Sequence, residues 1–154
     1  MTVYVNNDGL SWRFGPGQAD SKDSGHFRTN GSTQEVELEF DYTDLTASAN
    51  TILSHGQRLP KGARIESAEI FVTTAFAGGT TVDVGLIKSD FTTELDYNGF
   101  DAAVATASLT AGASITGDGA LIGTVLSENG VFTVGAAGTY TAGAAKVRIK
   151  YSMD

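Results

Sequence analysis

The sequence predicts an all-β, single-domain protein: a β-sandwich of the jelly-roll kind with an irregular N-terminal arm, the alternative being a partly open β-barrel. Val, Thr, Ile, Phe and Tyr concentrate in short segments in which apolar and polar residues alternate. Nineteen glycines and only two prolines separate these segments, as turns between strands do. Helix signals are scarce, so roughly eight to ten short strands account for most of the chain.

The N-terminal part of the chain differs from the rest, and we predict an extended arm over residues 1–34 and the β-sandwich over residues 35–154. The arm is polar, and "GPGQADSKDSGHFRTNGS" has no period. A loop of this length in a compact domain is usually functional or disordered. It is interpreted either as an arm that orders against a partner or as a surface loop. The candidate partner-binding residues are Trp12, Arg13, Phe14, Lys22, His26, Phe27 and Arg28.

Two distant segments alternate cleanly and carry opposite charges on their outward faces. In "TQEVELEFDYTDL" apolar residues from Val36 to Tyr42 take one face and acidic residues the other, whereas "AAKVRIKYS" alternates apolar with basic residues. Like charges along one strand are costly unless opposite charges lie across from them. We therefore predict antiparallel neighbours in one sheet, the alternative being two independently solvated faces. The predicted cross-strand charges are Glu35, Glu37, Glu39 and Asp41 against Lys146, Arg148 and Lys150.

The segment "RLPKGARIESAEIFVTTAFAGGTTVDVGLIKSD" predicts a β-hairpin with a sharp turn before it. Pro60 and Gly62 favour a turn that leads into a strand over residues 64–76. Gly78 and Gly79 then reverse the chain into the second strand. The apolar residues of the first strand change register, which indicates a β-bulge near Ser67 and Ala68.

Past residue 101 the chain is rich in Gly and Ala, and its short apolar runs again predict strands. These runs are "GALIGTVL", "GVFTVG" and "GTYTAG". The segment "FDAAVATASLT" is the one place where we predict one or two helical turns.

Composition excludes several classes of partner. A net charge of -8, with ten basic against eighteen acidic residues, disfavours nucleic acid and a bare membrane surface. Without cysteine the chain forms no disulfide and no thiolate metal site, which suits a reducing cytoplasm.

Residues with catalytic or metal-binding spacing are scarce, so we predict no catalytic residues, no metal site and no cofactor, and the protein is not expected to be an enzyme. His26 and His55 are the only histidines and lack metal-ligand spacing, and no nucleophile-elbow or phosphate-loop motif is present. In "ELDYNGFDAA" an acidic surface loop is the preferred interpretation over calcium binding by Glu94, Asp96, Asn98 and Asp101. Whether Tyr97 and Phe100 are exposed aromatics that stack on a sugar stays open.

The chain resembles the small β-rich decoration proteins of tailed bacteriophages, also called cement or head-stabilising proteins. The resemblance lies in "VYVNNDGLSWRFG", "EVELEFDYTDL", "LPKGARIESAEIFVTTAFAGGTTVDVGL" and "GTYTAGAAKVRIKYS", which together cover most of the chain. It implies a virion protein made in the bacterial cytoplasm, added in many copies to the outer surface of the assembled capsid. It also implies a homotrimer that bridges capsomers, with the major capsid protein as its partner. The alternative is a head- or tail-associated fibre or knob that binds a host receptor or glycan.

Overall fold

A computed structural model describes residues 2–5, 11–14, 33–47, 49–53 and 58–153 of the chain. The described residues form eleven β-strands and one 3-10 turn, Thr106–Ser108. They contain no helix that is long and apolar enough to span a membrane. The strands are β1 (Thr2–Val5), β2 (Ser11–Phe14), β3 (Thr33–Asp41), β4 (Asn50–Ile52), β5 (Arg58–Leu59), β6 (Ala63–Gly78), β7 (Thr81–Lys88), β8 (Glu94–Ala105), β9 (Ser114–Thr116), β10 (Gly130–Ala137) and β11 (Tyr140–Met153).

The strands form two larger sheets and one small hairpin. The first sheet has the order β3-β11-β6-β9, and the second has the order β4-β10-β7-β8, with β5 also pairing with β10. Strands β1 and β2 form a separate antiparallel pair. All ladders between named strands are antiparallel, and neither large sheet closes on itself. The predicted two-sheet sandwich is therefore confirmed, and the barrel alternative is not.

The hydrophobic core lies between the two sheets and takes buried side chains from both. Ile70 on β6 and Ile149 on β11 are buried on the first sheet, and Leu86 on β7 and Phe132 on β10 are buried on the second. Phe132 also stacks on Phe100 of β8, with ring centroids 5.7 Å apart. These contacts join strands that are distant in sequence, so the sandwich depends on both halves of the chain from Thr33 onward.

The predicted hairpin over residues 64–86 is wrong. Its two strands, β6 and β7, belong to different sheets, so Gly78 and Gly79 form a corner that carries the chain from the first sheet to the second. Both glycines have positive φ, 82° and 57°. The β10–β11 connection crosses between the sheets beside it, and the Gly79 amide donates to the Thr139 carbonyl at 2.8 Å. Two crossings thus lie against each other at one end of the sandwich.

Other local predictions differ from the structure by small amounts. The Ala63 amide donates to the Pro60 carbonyl at 3.1 Å, and Gly62 has φ of 87°, so the predicted turn is present. Of the four register shifts between β6 and β11, one falls between Ile65 and Ser67, one or two residues before the predicted bulge. The segment "GALIGTVL" contains turns rather than a named strand, and "FDAAVATASLT" contributes to β8 and the single 3-10 turn.

Candidate functional site

The outward face of the first sheet carries the oppositely charged rows that the sequence indicates. Strand β3 pairs with β11 over nine consecutive residues without a register shift. In this register Glu39 lies opposite Lys146, and Glu37 lies opposite Arg148. Glu35 lies opposite Lys150. We call these six residues the charged ladder. Asp41, the fourth acidic residue of β3, lies opposite Ala144 and outside the ladder.

Within the ladder, each of two cations bridges two carboxylates. Lys146 Nζ lies 2.6 Å from Glu39 Oε1 and 3.2 Å from Glu37 Oε1. Arg148 Nη2 lies 3.0 Å from Glu37 Oε2. Arg148 Nε lies 3.1 Å from Glu35 Oε1, close enough for an ion pair although the geometry makes no hydrogen bond. The contacts are therefore diagonal as well as directly across the strands. Arg148 forms an ion pair with Glu35, which the register places opposite Lys150.

These contacts shift the pKa values of Glu37, Lys146 and Arg148 in the directions expected for ion pairs. Hydrogen bonds from Arg148 and then Lys146 lower the pKa of Glu37 below its ordinary value of 4.5. Glu39 and then Glu37 raise the pKa of Lys146, and Glu37 raises that of Arg148. The paired side chains remain partly open to solvent, Glu39 being 70% exposed. Such exposed pairs contribute little to stability and are weakened by salt.

A neighbouring strand adds an aromatic contact to the ladder. The Arg148 guanidinium carbon lies 4.8 Å from the ring centroid of Phe71 on β6. Glu69 of β6 lies opposite Arg148 in the β6–β11 pairing, and it accepts a hydrogen bond from Ser114 Oγ of β9 at 2.5 Å. The Phe71 ring thus adds a cation–π contact to the ion pairs of Arg148 with the carboxylates of β3.

An open cavity of 480 Å³ adjoins the ladder where β3 ends. Asp41 accepts hydrogen bonds from the Thr43 hydroxyl and from the Thr43 amide at 2.7 Å, and these bonds lower its pKa. The carboxylate of Asp41 is thus engaged in the turn that follows β3. The cavity is lined by Glu39, Phe40, Asp41, Asp44, Thr73, Ala144, Ala145 and Lys146.

Of the predicted arm residues, three have a described backbone position. Trp12, Arg13 and Phe14 lie on β2, where they pair with Tyr4, Val3 and Thr2 of β1. The other four predicted contact residues lie outside the described residues, and they are Lys22, His26, Phe27 and Arg28. His55 also lies outside them.

The expected acidic surface loop over residues 94–101 is a strand, and its side chains are not arranged as a metal site. Glu94 pairs with Ile87 and Asp101 with Val84, so the two acids lie at separate points of the β7–β8 ladder. Among the described side chains, no group of three or more His, Asp or Glu could hold a metal ion. Asp101 is buried, and burial raises its pKa, with a further contribution from Asp118. Phe100 is 1% exposed and belongs to the core, not to a sugar-binding surface.

Sequence reasoning missed an exposed aromatic at the tip of the β7–β8 turn. Phe91 is 46% exposed, has φ of 61°, and lies 5.3 Å from the Arg58 guanidinium carbon. Asp90 holds this turn by accepting bonds from the Thr93 hydroxyl and amide, which lower the pKa of Asp90 to about 2. The turn therefore displays an aromatic ring beside an arginine on the surface, at one end of the second sheet. The Asp-x-Thr-Thr spacing predicts the turn, but nothing in it marks Phe91 as exposed.

The described residues therefore define a β-sandwich protein with two antiparallel sheets. The particular fold is shared with chains of solved phage capsids. One is in the Cyanophage Pam1 capsid asymmetric unit, with a TM-score of 0.60 and 15% identity, covering 90% of this chain and 98% of that chain. Another is in the acidic stable capsid structure of Helicobacter pylori bacteriophage KHP30, with a TM-score of 0.55 and 19% identity, covering 79% and 88%.

A third similar chain is in the capsid of Ralstonia phage GP4, with a TM-score of 0.53 and 19% identity, covering 82% of this chain and 89% of that chain. No protein-family model matches the sequence, and no curated protein matches it either. The likeness is therefore one of fold, and in each case it extends over most of both chains.

Proposed function

We propose that this protein is a structural protein of a phage virion that binds the outside of the assembled capsid in many copies. In this role it stabilises the shell as a decoration or cement protein, bridging capsomers as a homotrimer with the major capsid protein as its partner. The observation that carries the proposal is the whole-chain likeness to a chain of the Cyanophage Pam1 capsid asymmetric unit, which covers 90% of this chain and 98% of that one.

The surfaces of the sandwich support this role in physical terms. The charged ladder and the Phe91 turn are solvent-exposed contact features, and neither places a nucleophile beside a base. Single contacts of this kind are weak, but a protein repeated over a symmetric shell gains avidity when one oligomer contacts several capsid subunits. Modest contacts in many copies are therefore sufficient for stabilisation.

The N-terminal arm is the proposed capsid-binding segment. An extended arm that orders along the shell offers broad contact, although ordering it costs free energy at the moment of binding. The core residues of the sandwich lie between Leu38 and Tyr151, so removal of residues 1–32 leaves both large sheets with their strands. We expect this truncated chain to keep a cooperative thermal transition and to lose its binding to undecorated heads. Normal attachment of a folded truncated chain would contradict the role of the arm.

The proposed function itself is tested with the full chain. We expect it to sediment with undecorated heads, to reach a copy number comparable to that of the capsid protein, and to raise the temperature at which the heads rupture. A copy number of a few per particle, confined to one vertex, would instead indicate a fibre or knob. Absence from purified mature particles would contradict any virion role.

A further inference from the structure

The outer edge of β3 is the one long, regular sheet edge among the described strands. In the first sheet the opposite edge, β9, has only three residues. In the second sheet β4 and β5 have three and two residues, and the edge strand β8 is irregular, with three register shifts against β7. Short strands and bulges are the usual devices that protect an edge from pairing with another chain. The described part of the chain thus protects every other edge and leaves β3 without such a device.

Strand β3 has no proline or lysine to discourage pairing, and its charged residues are all acidic, so they oppose pairing with another acidic strand but not with a basic one. Its nine residues, "TQEVELEFD", include no Pro, Gly, Lys or Arg, and they pair with β11 without a shift. In an antiparallel ladder every second residue turns its N–H and C=O away from its neighbour. Alternate residues of β3 therefore present backbone donors and acceptors on the side away from β11, where none of the described strands lies, except that the Asp41 amide donates to Asp44 Oδ2 at 3.0 Å.

The acidic row of β3 determines which strand fits this edge. A second copy that paired antiparallel through its own β3 would place carboxylates beside carboxylates on the outward face, which is destabilising. A strand with Lys or Arg at alternate positions would instead place cations beside the β3 carboxylates, as β11 does on the other side of β3. Glu35 and Glu39 have the capacity for this, because their side chains are 44% and 70% exposed although each already contacts a cation of β11.

We propose that the outer edge of β3 is a strand-addition site that binds an extended segment of a partner chain carrying Lys or Arg at every second position. Backbone hydrogen bonds supply the affinity, and the Glu35 and Glu39 carboxylates select the basic alternation. The identification of the partner with a capsid protein rests on the proposed function, whereas the edge itself does not.

The binding test uses the full chain and two synthetic nine-residue peptides, one alternating Lys with Val and one alternating Glu with Val. We expect the Lys peptide to slow amide hydrogen exchange at every second residue of the range 33–39, as measured residue by residue with NMR, and the Glu peptide to have no effect. Protection at other strands, or no protection of β3 by the Lys peptide, would overturn the proposal.

A matched pair of variants separates recognition from general attraction to an acidic protein. The double variant Glu35→Gln, Glu39→Gln is expected to weaken Lys-peptide binding by about two- to thirty-fold, from the usual range for two cross-strand charge pairs. The control Glu94→Gln, Glu128→Gln removes the same charge from exposed positions away from β3 and is expected to leave binding unchanged. Equal weakening by both double variants would show general electrostatic attraction and overturn the proposal. Thermal unfolding verifies that all variants remain folded.

Binding to undecorated heads distinguishes this proposal from the proposed function. If the full chain binds heads and the Glu35→Gln, Glu39→Gln variant binds them as well as the control variant, the edge is not the capsid site and the decoration function stands. If the full chain does not bind heads while the Lys peptide still protects β3, the edge proposal stands and the decoration function is wrong.

Discussion

From the structure of the corner between the two sheets, we expect two Gly→Ala substitutions to differ in how much they lower the free energy of unfolding. Gly79 has φ of 57°, and a Cβ added there would lie 2.2 Å from Cε2 of the Tyr140 ring. That ring cannot easily move, because it is buried, packs edge-on against Phe76 at 5.7 Å, and its hydroxyl lies 2.7 Å from Thr106 Oγ1. Left-handed backbone costs an alanine about 1 to 2 kcal/mol, and overpacking a core ring costs about 1 to 3 kcal/mol more.

Gly79→Ala is therefore expected to lower the free energy of unfolding by about 2 to 5 kcal/mol, a large part of the 5 to 15 kcal/mol typical of a domain. Gly112 is the matched control, because its φ is 82° and an added Cβ would meet no atom within 4 Å. Gly112→Ala should cost only the backbone term of about 1 to 2 kcal/mol. Urea unfolding of both variants measures the difference. Equal losses would refute the inference that the Tyr140 ring closes this corner.

Two further predictions concern pH. Burial raises the pKa of Asp101 above 3.8, so the folded state disfavours its ionised form and stability falls as pH rises through the shifted pKa. Asp101→Asn should raise the free energy of unfolding at pH 7 and leave it unchanged near pH 3, and urea titrations showing equal gains at both would contradict this. Arg148 lowers the pKa of Glu37 below 4.5, so its stabilising contribution is present above 4.5 and is lost as pH falls through the shifted pKa. Glu37→Gln should reduce stability slightly at pH 7 and flatten acid unfolding, whereas the exposed control Glu128→Gln should not.

The pairing of β3 with β11 could be predicted from the sequence because both segments alternate with period two and carry opposite charges on their outward faces. Alternation with period two assigns each residue to a face, and opposite charges on the outward faces then select a neighbour more than a hundred residues away. The buried positions Leu38 and Phe40 follow the same alternation. What alternation does not determine is the diagonal contact of Arg148 with Glu35, because long side chains reach past their register partners.

The hairpin prediction was wrong because the glycines determine only the local turn, whereas the sheet that each strand joins depends on residues far away in the sequence. Two glycines with positive φ permit either a tight reversal or a corner between sheets. The choice depends on Tyr140 and the β10–β11 crossing, which lie some sixty residues further along the chain. The burial of Asp101 was also not predicted, since the sequence suggested an acidic surface loop where the structure has the irregular strand β8.

The charged ladder is better understood as a device for register than as a source of stability. Its pairs are exposed, and exposed pairs add little to the free energy of unfolding. A slip of β3 by one residue, however, would turn Leu38 and Phe40 outward and the acidic row into the core. The same register that protects the core gives the outer edge of β3 a regular alternation of carboxylates. A strand that binds this edge meets a surface organised before binding, so little of its affinity is lost in ordering the sandwich.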